Sequence, residues 1–396
     1  VYSDRLNSIG ESQTAKIAAI AIQMKKDKLD VVDLTIGEPD FPTPPNIKKA
    51  AIDAINKNLA KYTLIPGIIA LRETIQKKLF VDNNMEYDVD NIIVSNGAKQ
   101  SIFNALLAIV NKGDEVIIPS PYWVSYPEMV AIAEGKSVIV STDESNCFKL
   151  TPQLLKENLS DKTKALILCN PSNPTGTLYS KSELAGLAEI LEGKNICVIS
   201  DEIYEKLVYD DADYASMASI SSEMKRKTLL INGFSKAYAM TGWRIGYAAG
   251  EKELIKKMSQ LQSHSTTNAP TISQYAAIEA LEGPQDDVAR MHKEFERRRD
   301  FIHNRLQNME NITCIKPQGA FYVFPNISAY LKCSYNDQVI QNSSELAFYL
   351  IKEAKVVLIP GLAFGSDHHL RISYATSMEQ LEKGMDRIES ALFNLK

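Results

Sequence analysis

The residue whose surroundings most suggest chemistry is Lys236. It lies in the segment from Asn232 to Tyr247, NGFSKAYAMTGWRIGY, directly after the apolar run TLLI. A lysine is ordinarily a solvated surface residue, but this one sits among Gly, Ser and aromatic residues. An amine that attacks a carbonyl must be unprotonated, and desolvation or neighbouring cations favour that form. Eight positions on is Arg244, framed by Gly242, Trp243 and Gly246. Its planar fork suits phosphate, and Ser235 adds a hydroxyl donor. An amine for an aldehyde beside Ser and Arg for a phosphate is what pyridoxal phosphate requires.

Something must hold these groups in place. Short runs rich in Val and Ile read as strands: Asn91–Ser95, Glu115–Pro119, Ser137–Ser141, Ala165–Cys169, Ile196–Ser200, Thr228–Ile231 and Ile245–Ala249. Amphipathic stretches such as Ala98–Val110, Lys181–Leu191 and Lys252–Gln262 lie between most of them. Continuous apolar strands alternating with helices predict an α/β fold with a mostly parallel sheet flanked by helices. Ligands of such sheets bind beyond the carboxyl ends of the strands. The segments there carry Gly97, Ala98 and Lys99, then Asn173, then Asp201 and Tyr204, and finally Ser235 and Lys236.

The pattern changes after residue 284. A long helix is predicted from Pro284 to about Met309, with Arg297, Arg298 and Arg299 forming a solvated face. Strands follow at Phe321–Phe324 and Leu370–Tyr374, with helices at Ser344–Ala354 and Met378–Ala391. The early run Val31–Ile36 is expected to join them. The expected division is a large cofactor-binding domain over 46–284 and a smaller α+β domain built from both chain ends, 1–45 with 285–396.

Several motifs recur in a fixed order: TIGEPDFPTP (35–44), PYWVSYPEM (121–129), NPSNPTG (170–176), SDEIYE (200–205), SKAYAMTGWRIGY (235–247) and LRISYA (370–375). On these motifs nearly the whole chain resembles the class I aminotransferases of fold type I, specifically the aspartate aminotransferase family. The resemblance implies pyridoxal 5'-phosphate as cofactor and Lys236 as the catalytic, Schiff-base lysine. It implies that Asp201 pairs with the pyridine nitrogen, that Tyr204 and Asn173 bond the ring oxygen, and that Trp123 stacks on the ring. Gly97, Ala98, Ser235 and Arg244 would hold the phosphate, with Lys99 adding charge. Tyr62, in KYTLIPG (61–67), would reach the phosphate of a neighbouring subunit, giving a homodimer with shared sites. Arg371 would bind the substrate carboxylate, with Gly37, Trp123 and Asn173 lining the substrate site.

The resemblance implies an amino acid and a 2-oxo acid as substrates, aspartate and 2-oxoglutarate first. Aromatic amino acids or prephenate are the alternatives, because a side-chain carboxylate needs a second cation. Related enzymes carry a lysine near the N-terminus, where this chain has Gly10; His264 in SHSTTN (263–268), projecting into the neighbouring subunit's site, is a candidate partial cation. A pyridoxal-phosphate-binding transcription regulator is the rival of another class. The net charge of -5 gives no reason to expect nucleic acid or an anionic membrane as partner. No GxGxxG, Walker A or GxSxG pattern occurs. No metal site is expected, since His368 and His369 are adjacent and would face opposite ways. Five cysteines without a CxxC pair read as reduced core thiols in a cytoplasmic protein.

Overall fold

A computed structural model describes residues 3–10, 13–336 and 338–395. The first strand, β1 (Val32–Asp33), lies far in sequence from the rest of its sheet. Seven strands form the central sheet: β2 (Ile92–Ser95), β3 (Glu115–Ser120), β4 (Lys136–Ser141), β5 (Thr163–Cys169), β6 (Cys197–Asp201), β7 (Thr228–Gly233) and β8 (Gly246–Ala249). Their spatial order is β2-β8-β7-β6-β5-β3-β4. The pairings from β7 through β4 are parallel, whereas β8 runs antiparallel to both β2 and β7.

The apolar runs form central strands because both faces are covered. Val116 and Ile118 pack into one core cluster with Ile102 and Leu106 of helix Ala98–Ile109. Ile117, Leu166 and Leu168 point the other way, into a cluster with Leu184, Leu187 and Leu191 of helix Lys181–Leu191. The two-residue period of a strand therefore supplies two hydrophobic layers at once. The second helix is fixed at its start by a capping box. The Ser180 hydroxyl accepts from the Glu183 amide, and the Glu183 carboxylate accepts from the Ser180 amide.

Six further strands follow: β9 (Tyr322–Val323), β10 (Ser334–Tyr335), β11 (Gln338–Val339), β12 (Val356–Val357), β13 (Ile359–Pro360) and β14 (Leu370–Ser373). Strand β14 pairs antiparallel with β13 and β9. Strand β1 pairs parallel with β12, so the early apolar run does join the C-terminal part. The long helix spans Asp286–Gln307, shorter at both ends than its sequence pattern. The segment expected as helix Ser344–Ala354 is α-helical only over Ser343–Tyr349 and continues as a π-turn over Leu350–Ala354.

The arginine triplet is a correction. Only Arg297 is exposed, while Arg298 and Arg299 are buried. Arg298 bonds both carboxylate oxygens of Asp40 and reaches Glu294. Arg299 bonds both oxygens of Asp210 at 2.8 Å. Their charges are tolerated in the interior because bidentate acids neutralise them, and Asp40 and Asp210 come from remote segments. All five cysteines are free, but only Cys314 is buried, so the expectation of core thiols holds for one. Among the described residues no helix is long and apolar enough to cross a membrane.

Candidate active site

The strand directions decide what converges. Strands β2, β6 and β7 end at one edge of the sheet, and antiparallel β8 begins there, with Gly246 opposite both Ser95 and Gly233. The segments bearing Gly97, Asp201, Lys236 and Arg244 therefore meet at that edge. A cavity of about 590 Å³ opens there, lined by all the expected site residues except Gly97 and Tyr62.

The Lys236 amine faces this cavity and donates to the Gly37 carbonyl at 2.5 Å. Surrounding protein desolvates it and lowers its pKa to about 8; the Glu38 and Asp201 carboxylates oppose this, whereas Arg371 and Arg244 reinforce it. The amine is thus largely neutral above pH 8, the form that attacks an aldehyde. A testable consequence concerns the cofactor-free protein. Its uptake of pyridoxal phosphate, followed by absorbance in stopped flow, should accelerate roughly tenfold per pH unit below 8 and level off above it. A pH-independent rate would show that amine ionisation does not control the reaction.

Asp201 ends β6 and is buried. Burial raises its pKa, opposed by a hydrogen bond that the Tyr126 hydroxyl donates at 2.7 Å, by the Ile203 amide and by the Lys236 charge. The turn after β6 delivers Tyr204, whose hydroxyl lies 3.0 Å from that of Tyr322. Arg371 is carried by β14 and fully enclosed. It donates to Asn173 Oδ1 at 3.2 Å and to the Thr35 carbonyl at 2.8 Å, while its Nε has no partner. No carboxylate pairs with it among the described residues. A buried guanidinium without a counter-ion is costly, and an anionic ligand would remove that cost.

At the other group of donors, Gly97 has φ +83° and precedes helix Ala98–Ile109. A side chain there would place Cβ 2.5 Å from Arg244 Nη2, so glycine is what lets the arginine lie against the helix start. Arg244 itself takes φ +52°, unusual for a residue with a side chain. Its guanidinium donates to the Thr241 and Asn96 carbonyls. The Gly97 amide donates to the Ser95 carbonyl at 2.8 Å, whereas Ala98 at the helix start, Ser235 and Arg244 line the cavity, a set of donors that suits an anion. The Lys99 ammonium sits 4.7 Å above the Trp123 ring, and burial, then Arg244, lowers its pKa.

Tyr62, His264 and Gly10 do not line this chain's own cavity. Tyr62 is 87% exposed and borders a separate hollow with Asn96 and Thr266. His264, expected to project towards a neighbouring subunit's site, is exposed. Gly10 brings only its amide, which donates to Glu128. Conversely, Tyr126, Tyr322 and Glu38 line or touch the site without having been singled out. Tyr126 could have been found, since it lies one helical turn after Trp123 in PYWVSYPEM.

Residues 29–388 match the family described as aminotransferase class I and II. The chain belongs to that family. It is 46% identical, over the full length of both chains, to the "Probable aspartate/prephenate aminotransferase" of Rickettsia bellii. Its fold matches the crystal structure of the aspartate aminotransferase from Rhizobium meliloti with TM-score 0.97 at 41% identity, covering all of both chains. The Thermus thermophilus aspartate aminotransferase solved with maleate matches with TM-score 0.93 at 38% identity over 99% of each chain. This aminotransferase is pyridoxal-phosphate dependent, as its family is. The residues present fit that cofactor. The glycine beside Arg244 leaves a cradle that a Cβ would fill, and the same cavity holds a buried carboxylate, Asp201, and a lysine amine, Lys236, whose pKa burial lowers.

Proposed function

We propose that this enzyme moves an amino group between aspartate and a 2-oxo acid such as 2-oxoglutarate, with Lys236 as the catalytic amine. One observation carries the reading: Arg371 and Lys99, two cations without carboxylate partners among the described residues, line the same cavity as Lys236. A dicarboxylic substrate answers both charges. The names of the Rhizobium and Thermus relatives support aspartate.

In this reading pyridoxal phosphate supplies an aldehyde that takes up the amino group and a protonated ring that accepts the electrons left at the substrate α-carbon. Gly97, Ala98, Ser235 and Arg244 bind its phosphate. Asp201, held by Tyr126, keeps the ring nitrogen protonated. Tyr204 and Asn173 would bond the ring oxygen, and Trp123 would stack on the ring. Arg371 grips the substrate α-carboxylate while Gly37 lines the wall beside it. This orientation presents the Cα–H bond to the Lys236 amine, which removes the proton and later returns it.

The same proposal covers the assembly. Tyr62, and Leu64 and Ile69 near it in sequence, are each more than half exposed, apolar surface that a second copy of the chain would cover. A homodimer would place Tyr62 at the partner's phosphate. We also propose the division into a large domain, 46–284, and a small one, 1–45 with 285–396, and a cytoplasmic location consistent with free thiols.

The second cation is where the substrate is decided. In this reading Lys99 supplies the second cation, which Gly10 has no side chain to provide. Lys99→Met should lower kcat/KM for aspartate roughly 10- to 150-fold, the value of a charge-assisted hydrogen bond, and leave alanine nearly unchanged. Loss of cofactor affinity with unchanged selectivity would instead assign Lys99 to the phosphate. Prephenate is the second reading, favoured by the name of the Rickettsia bellii relative. A donor and acceptor panel including phenylalanine and prephenate separates the two, and no activity with aspartate would discard the first.

A further inference from the structure

Tyr322 has no place in the scheme above, yet it touches three of its parts. It lies on β9, opposite Ser373 of β14, and is buried. Its ring sits beneath the Arg371 guanidinium, 4.4 Å from ring centre to carbon. Its hydroxyl is 3.0 Å from that of Tyr204. A Cβ on Gly37 would come within 3.5 Å of the same hydroxyl, so the Gly37 segment covers it. The contact between the two phenols is the only hydrogen bond given to either hydroxyl among the described residues.

Two phenols share one contact, and each has one proton. One must donate and the other must accept. If Tyr322 donates, the Tyr204 proton is left free for the cavity. If Tyr204 donates, it has nothing to offer a ligand. We infer that Tyr322 is a positioning residue, donating to Tyr204 so that the Tyr204 proton points at the cofactor's ring oxygen, while its ring supports Arg371. This rests on the proposed role of Tyr204 at that oxygen. The chain of donors also polarises the Tyr204 hydroxyl, because consecutive hydrogen bonds strengthen each other.

The sign of the effect follows. A donor to the ring oxygen disperses its negative charge and weakens its hold on the proton shared with the attached lysine nitrogen. That proton then leaves at lower pH. Weakening the donor raises the pH midpoint of the bound cofactor's colour change, which a structural role alone would not move.

The experiment titrates the absorbance of the holoenzyme against pH in wild type, Tyr322→Phe, Tyr204→Phe and the double variant. Tyr322→Phe should raise the midpoint by roughly half a unit to one unit, the scale of a neutral hydrogen bond. Tyr204→Phe should raise it further, and the double variant should match Tyr204→Phe alone. Phenylalanine keeps the aromatic face under Arg371, so KM for the amino acid should hold in Tyr322→Phe and rise in Tyr322→Leu. An unmoved midpoint in Tyr204→Phe would overturn the role of Tyr204 and the inference with it. A shift in Tyr204→Phe but none in Tyr322→Phe would overturn the inference alone, as would additive shifts in the double variant. An unchanged KM in Tyr322→Leu would remove the support of Arg371.

Discussion

Lys236→Ala is expected to lose turnover by on the order of 10⁴-fold or more, because one side chain serves as both cofactor anchor and proton carrier. Ser235, Arg244 and the amides at Gly97 and Ala98 remain, so the variant should still bind pyridoxal phosphate reversibly. The checks are kcat/KM, the absorbance of the bound cofactor, and borohydride reduction followed by mass spectrometry of the peptide carrying residue 236. A bond still trapped on another lysine, with activity retained, would refute the assignment. The variant also tests the dimer. Mixed with a Tyr62→Ala chain, it should recover activity, since one site of each mixed dimer then has both residues intact. Dimers that form by mixing yet stay inactive would remove Tyr62 from the partner's site.

Much of this site could be read from the sequence because each group follows a strand. TLLI places Lys236, ICVIS places Asp201 and NIIVS places Gly97, and strand direction puts all three at one edge. The antiparallel insertion of β8 was not visible in its composition. It matters, since reversing that strand is what brings Arg244 to the same edge as the residues after β2 and β7. The task proposed for Lys99 was hidden for a different reason. Its position at a helix start suggests phosphate, whereas its long side chain reaches the Trp123 face. Tyr322 was obscured because its importance comes from pairing with β14, a contact across 51 residues of chain from Tyr322 to Ser373. Arg298 and Arg299 show the same limit. A charged triplet on a helix reads as solvated until Asp40 and Asp210 arrive from elsewhere.

Asp201→Ala is the second large effect expected. In the cofactor-free chain Asp201 is a buried carboxylate whose pKa burial raises, with the Tyr126 hydroxyl, the Ile203 amide and the Lys236 charge only partly offsetting that effect. A protonated pyridine nitrogen adds a cation, and each charge then stabilises the other in a dry site. Removing the carboxylate should weaken cofactor binding by about 1.5–3 kcal/mol, the value of one charge-assisted hydrogen bond. The rate should fall further, by about 10²-fold or more, because the ring must accept negative charge as the Cα–H bond breaks. Tyr126→Phe provides the graded control. It removes the 2.7 Å donor to Asp201 but leaves the carboxylate, so its loss should be smaller than that of Asp201→Ala. In the double variant the Tyr126 change should cost little more, since its partner is already gone. Measuring kcat and cofactor dissociation in these three proteins separates ring protonation from packing. Near-normal turnover in Asp201→Ala would mean that ring protonation does not depend on this carboxylate. A Tyr126→Phe loss equal to that of Asp201→Ala would mean that the hydroxyl, rather than the charge, is what the site requires.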